Sequence, residues 1–314
     1  MPPVPVPSAP APSDTGAGGP TPPPPPGSIA TFRPGDVVRG IYACTRKDRL
    51  TAKTGTTYLA IELRDKTGAI GGRIFKDADL VAGRFDRGDL VRVQARVERF
   101  RDELQLDVAQ IARTAPQEAD PAAFLPVAYR DMEELDGFLE HLAREVHDPG
   151  YRGLLERLLA DEALRTAFRR TPCSRGGHHA YLGGLLEHTV AVATLAQETC
   201  LLHPRLNSDL LICAAIVHDL GHTQAFTYGA EIGLSDAGRL LGHVELGLRI
   251  VDGLVARVPA MDEARRLQLA HCVLTHHGAD GAPGRRFGSV EAMALARLNA
   301  LDAGVKGALE QGLP

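Results

Sequence analysis

The sequence predicts a multidomain protein of mixed class, a small β-barrel followed by an all-α module, in a chain of 314 residues. Three observations carry this expectation. Apolar residues alternate with period two from about Phe32 to Thr114, and beyond Pro121 they recur with helical period to the end of the chain. Residues 1–27 hold 12 of the 22 prolines and almost no side chain able to build a core.

The expected boundaries follow in order. Residues 1–29 form a disordered, partly polyproline tail to which no chemistry is assigned. Residues 30–115 form the barrel. Leu59, Ile61 and Leu63 alternate with Tyr58, Ala60 and Glu62, and Val91, Val93, Ala95 and Val97 alternate with Leu90, Arg92, Gln94 and Arg96. Turn signals at DKTG (65–68), DRGD (86–89) and FRDE (100–103) divide the segment into about five short strands, a number that suits a closed or nearly closed barrel. Residues 116–160, opened by Pro116 and Pro121, are a helical linker. Residues 161–314 are the main helical module, with GLLERLLADEALRTAFRR running into it across the boundary and GGLLEHTVAVATLAQETC and EAMALARLNALDAGVKGAL within it.

Charge separates the modules. Residues 31–115 carry 17 Lys and Arg against 12 Asp and Glu, and the rest of the chain 18 against 27, which together give the net −4. A basic module joined to an acidic one suggests that the first holds a polyanion and the second holds cations. The longest apolar run, Leu210 to Val217, falls far short of the ~20 residues that span a bilayer, and the N-terminus lacks a secretory pattern. The expectation is a cytoplasmic protein with no membrane partner. Five cysteines without a C-x-x-C pair argue against a disulfide framework and against a thiolate zinc site.

The helical module carries the chemistry. The apolar run ends on His218 and Asp219, with Gly221 expected as a C-cap; His188 lies near the start of another helix, His243 in LLGHVELG, His276 and His277 in HCVLTHHG, and Asp302 in the last helix. Any one of these is ordinarily a hydrogen-bonded core residue. Burying the whole series unpaired would cost on the order of several kcal/mol each, a cost that a bound metal removes. Imidazole and carboxylate are donors for Mn, Fe, Co, Ni or Zn, and the two oxygens of a carboxylate can bridge two ions.

The ordered set His188, His218-Asp219 and Asp302 resembles the signature of the HD-domain metal-dependent phosphohydrolases, and the added His243 and His276 resemble their two-metal members. GGHHAYLGGLLEHT, AAIVHDLGH, GRLLGHVELG, HCVLTHHG and LNALDAGVKG look like the YhaM-type 3′-to-5′ exoribonucleases, in which an OB-fold nucleic-acid-binding domain precedes an HD domain. The resemblance covers about residues 30–310. It implies an OB-fold-like barrel, one metal held by His188, His218, Asp219 and Asp302, and a second held by Asp219, His243 and His276, with His277 as a further ligand or an outer group. Two divalent ions are expected, Mn foremost, with Co, Fe, Ni or Zn also suited. With ions ~3.5–4 Å apart, a bridging water loses a proton near neutral pH and the hydroxide can attack phosphorus in line.

One position departs from the pattern. Where related sequences commonly read H-D-x-G-K, this chain has His222, a shorter side chain only partly charged near pH 7. Either phosphate binding by His222 is weaker and more pH-sensitive, or Lys306, one turn beyond Asp302, supplies the charge; the competing reading makes His222 a solvated capping residue. His179, in the run RGGHHAYLGG, is expected over the substrate or behind a ligand. In the barrel, pleat alternation puts Tyr58, Arg73 and Phe75 on the face opposite Leu59, Leu63 and Ile74, where aromatics can stack bases. KTGTT at 53–57 lacks the spacing of a phosphate loop.

The residues point to two-metal phosphodiester hydrolysis, and the resemblance implies that it acts on single-stranded RNA, or DNA, from the 3′ end to give 5′-mononucleotides, with homo-oligomerisation left open. Two other readings compete: a phosphohydrolase of small nucleotides, and a nucleic-acid-binding adaptor whose metal site is degenerate.

Overall fold

The computed structural model describes residues 28–52, 55–115 and 118–313. Residues 1–27 of the expected tail, Lys53 and Thr54 of the KTGTT run and Pro116 of the expected junction lie outside the described residues, whereas Ser28 and Ile29, expected in the tail, are buried and Ile29 joins the barrel core. Five strands form a closed barrel in the order β1-β2-β3-β5-β4, with β4 returning to β1: β1 (Val37–Thr51), β2 (Thr57–Asp65), β3 (Gly68–Ile74), β4 (Leu90–Phe100) and β5 (Glu103–Arg113). A short helix, α1 (Ala78–Ala82), joins β3 to β4. This order, with a helix between the third and fourth strands, is the OB-fold arrangement.

Closure depends on the long first strand. Its residues Val37–Ala43 pair with β4 and Ala43–Thr51 pair with β2, and an irregularity at Cys44/Arg46 bends the strand from one partner to the other. The predicted turns fall between strands, but the strands are longer than expected. At the tip of β4 and β5, Arg101 and Asp102 both take left-handed backbone angles, as a two-residue hairpin turn requires. Leu59, Ile61, Leu63, Val91, Val93, Ala95, Val97 and Leu106 fill the barrel.

The helical module contains α2 (Met132–Arg144), α3 (Pro149–Ala160), α4 (Glu162–Arg170), α5 (Gly184–Leu202), α6 (Ser208–Val217), α7 (His222–Ala225), α8 (Asp236–Val255), α9 (Glu263–Thr275) and α10 (Val290–Gln311). A small hairpin, β6 (Phe226–Tyr228) with β7 (Ile232–Leu234), interrupts it between α7 and α8. Helix α6 is buried all round from Leu210 to Val217, each large side chain contributing ~1.5–3 kcal/mol, which fixes its C-terminal end deep in the module. Helices α2 and α3, from the stretch expected to be a linker, share one apolar core with α5, α6 and α9 through residues such as Leu135, Leu139, Tyr151 and Leu154. No helix among the described residues is long and apolar enough to cross a membrane.

Barrel and helical module meet at the small hairpin. Arg64 Nη2 donates to the Ala230 carbonyl at 3.0 Å, Arg87 pairs with Glu231 at 3.1 Å, and Ala43, Phe124 and Ala230 are buried together.

Candidate metal centre and nucleic-acid face

The C-terminal end of α6 sets the centre. His218 continues the helix for one residue and Asp219 follows in the turn toward α7. Gly221 is not the left-handed C-cap expected from the sequence: its φ of −61° is helical. A Cβ there would lie 1.8 Å from the His243 carbonyl oxygen, so the glycine is required by the close approach of α8 to this turn. Helix α8 itself is broken at Gly242, φ 75° and ψ 164°, and His243 begins its second part. His276 caps α9 and His277 follows it, while His188 lies in the buried first turns of α5 and Asp302 in α10.

These elements bring the imidazoles to one carboxylate. On one side, Asp219 Oδ2 lies 3.3 Å from His218 Nε2 and 3.6 Å from His188 Nε2. On the other, Asp219 Oδ1 lies 3.2 Å from His276 Nε2 and 3.4 Å from His243 Nε2, which is 2.8 Å from His277 Nε2. Two groups of donors that could each hold an ion, His188–His218–Asp219 and Asp219–His243–His276–His277, thus share Asp219.

The donor set fits cations. His218 Nδ1 donates to the Ala215 carbonyl at 2.8 Å, His276 Nδ1 to the Val273 carbonyl at 2.6 Å, and His188 Nδ1 to Asp302 Oδ2 at 2.6 Å. With Nδ1 engaged in this way each ring turns Nε2 toward the cluster, and those of His188 and His218 stand 3.3 Å apart. Asp219 Oδ1 is buried without a hydrogen-bond partner among the described residues. The arrangement calls for positive charge. Burial opposes protonation of His218, but the Asp219 carboxylate overrides it and raises its pKa. Burial likewise pushes the Asp219 carboxyl up, and the imidazoles that face it, His218 foremost, more than reverse this, holding it well below the usual carboxylate range. His243 and His277 are pushed down by burial to about 4, so they are neutral and free to act as donors at pH 7.

Asp302 stands differently from the expected four-donor set. Its Oδ2 accepts from His188 Nδ1 and from His179 Nε2, the latter at 3.0 Å, and these three residues make a further donor group that could hold an ion. Residue types in sequence do not reveal which imidazole nitrogen faces the cluster. Burial raises the Asp302 carboxyl, and the hydrogen bonds from His179 and His188 carry it below its ordinary value. His179 is buried, with a left-handed φ of 50°, and is pinned by Glu310 at its main-chain nitrogen and by the Tyr181 hydroxyl at Nδ1.

The two expected phosphate cations are otherwise engaged. His222 is buried, stacked between Phe226 (4.8 Å) and His243 (4.2 Å), and burial pushes it down to about 3. It is neutral at pH 7 and braces the His243 ring. Lys306 Nζ lies 3.0 Å from Glu187 and 3.6 Å from Glu310. A cavity of about 430 Å³ opens on the centre, walled by imidazoles, Phe226 and the small residues Ala296, Ala300 and Ala303. Sequence reasoning missed three residues here: Phe226; Cys173, whose thiol lies 3.6 Å from His178 Nε2; and Arg175. None of them sits in a periodic or motif-like context.

On the barrel, Tyr58 and Phe75 stack at 5.2 Å, and the Arg73 guanidinium lies 5.7 Å from the Tyr58 ring and 4.6 Å from Phe100. Phe75 and Phe100 are exposed, so the barrel presents an aromatic and cationic face outside its core. Phe100 was hidden in the sequence because it closes a turn rather than alternating within a strand.

The HD domain family matches residues 185–304. The chain is 27% identical over 250 residues to the 3′-5′ exoribonuclease YhaM of Shouchella clausii (strain KSM-K16), covering 78% of this chain and 76% of the relative. It is 25% identical over 261 residues to the enzyme of the same name from Halalkalibacterium halodurans, covering 81% and 80%. Among solved structures it is similar to the second OB-fold domain of replication protein A from Methanococcus maripaludis, at 20% identity, 30% of this chain, 95% of that chain and a TM-score of 0.24. The fold assignment rests on the strand order and not on that likeness.

Proposed function

We propose that this chain, which carries an HD domain and is similar along most of its length to YhaM exoribonucleases, is a metal-dependent 3′-5′ exoribonuclease that hydrolyses single-stranded RNA to 5′-mononucleotides. The observation that carries the reading is the position of Asp219, one buried carboxylate with a separate imidazole group at each oxygen. Such a donor set suits two divalent cations, Mn foremost. His188 and His218 with Asp219 Oδ2 would hold one ion, and His243, His276 and His277 with Asp219 Oδ1 the other. Bound there, the ions would supply Lewis acidity and acidify water at the scissile phosphate.

The rest of the site works by positioning. The Ala215 and Val273 carbonyls fix the His218 and His276 rings with Nε2 inward, and Asp302, itself held by His179, does the same for His188. The Phe226–His222 stack keeps His243 at its angle. Because the donors are locked before substrate arrives, little reorganisation is left to oppose the reaction. On the barrel, Tyr58, Phe75 and Phe100 would stack bases of the strand while Arg73 meets its backbone.

Product analysis tests this reading. With Mn, single-stranded RNA should yield nucleoside 5′-monophosphates. Turnover of free nucleotides with RNA left whole would instead make the protein a small-nucleotide phosphohydrolase.

A further inference from the structure

We propose that Arg175 is the cation that holds the RNA backbone as it passes from the barrel into the metal centre; this rests on the exoribonuclease reading above. Arg175 lines two cavities at once. One is the 430 Å³ cavity over Asp219 and His243, in which it is the only Lys or Arg among the described lining residues. The other, of about 510 Å³, lies where barrel, small hairpin and helical module meet, with Thr45, Arg64 and Arg87 on the barrel side and Glu231 on the hairpin. A strand that occupied both cavities would meet this side chain.

The neighbouring cations have other work. Arg64 donates to the Ala230 carbonyl, Arg87 is paired with Glu231, Lys306 is tied between Glu187 and Glu310, and His222 is enclosed by two rings. Arg175 is exposed and makes no ion pair or side-chain hydrogen bond among the described residues. Its loop is nonetheless fixed. Ser174 Oγ donates to the His178 carbonyl at 2.8 Å and accepts from Gly177 N at 2.9 Å, and Gln311 Nε2 donates to the Gly176 and Gly177 carbonyls at 2.6 and 2.8 Å. A free guanidinium on an ordered loop is prepared for bidentate contact with a phosphodiester, the geometry that Arg provides and that a buried, neutral His222 does not.

The test uses the full chain with Arg175→Ala and Arg175→Lys. Binding of a single-stranded RNA oligomer is measured without metal over a range of salt, and turnover is measured with Mn. Arg175→Ala is expected to reduce the slope of log affinity against log salt by about 1. It should also lower kcat/KM on RNA by about 10- to 100-fold, with partial rescue in Arg175→Lys and an unchanged Tm. A salt slope equal to that of the unsubstituted protein overturns the proposal, whatever the turnover. Failure of the unsubstituted protein to degrade RNA would overturn the exoribonuclease reading instead, and the binding slope would still decide the role of Arg175.

Discussion

A Cβ placed on Gly221 would stand 1.8 Å from the main-chain oxygen of His243. The turn that presents Asp219 and the half-helix that presents His243 are therefore in backbone contact, and the distance between two donors of the centre is set by the absence of a side chain. Gly221→Ala must push α8 away. It is expected to destabilise the fold by about 1–3 kcal/mol and to weaken metal binding at the His243 side. Thermal unfolding with and without Mn checks this, and an unchanged Tm together with unchanged Mn affinity would contradict it.

Metal removal should register in stability because the folded donor set binds ions and the unfolded chain does not. At a hundredfold excess over Kd, an ion adds about 2.7 kcal/mol, so the stripped protein should melt at a lower temperature than the Mn-loaded one. Asp219→Ala should remove that difference. Asp302→Asn, which weakens the bonds from both His188 and His179, should weaken Mn binding about 10- to 100-fold while a saturating concentration still raises the Tm. Calorimetry across a Mn titration separates these outcomes; a Tm indifferent to Mn would contradict the assignment of the cluster.

Exposed rings on the barrel contribute little to folding, so their removal isolates binding. Phe75→Ala and Phe100→Ala are each expected to cost about 1–3 kcal/mol of single-stranded RNA affinity for the base that stacks there, with little change in Tm. Fluorescence anisotropy on a labelled oligomer reads this directly. Affinities within twofold of the unsubstituted chain would remove these residues from the interface.

Much of the fold was legible because it follows periodicity. Alternation around Leu59 and Val91 marked buried strand faces, and the apolar run ending at Val217 marked a core helix that stops on His218 and Asp219. The donors could be named from their residue types and order, but their geometry could not. Asp302 meets Nδ1 of His188 while Nε2 faces Asp219, and nothing in the sequence says which nitrogen each carboxylate will face. His222 looked like a weakened phosphate cation, yet it is neutral and braced between Phe226 and His243, a consequence of burial that only packing reveals. Lys306 looked available until Glu187 and Glu310 were seen beside it. Gly221 read as a helix cap, whereas its role is to allow two backbones to meet across 21 residues of intervening chain.

The central claim is that Asp219 organises a metal centre that shortens RNA from its 3′ end. The direct measurement incubates the metal-stripped protein, with Mn restored, with single-stranded RNA labelled at its 5′ end, alongside Asp219→Ala. The account expects a ladder of labelled products shortening progressively from the 3′ end, absent without metal and absent in the variant. RNA that stays whole with Mn present, or is shortened equally by Asp219→Ala, would contradict it.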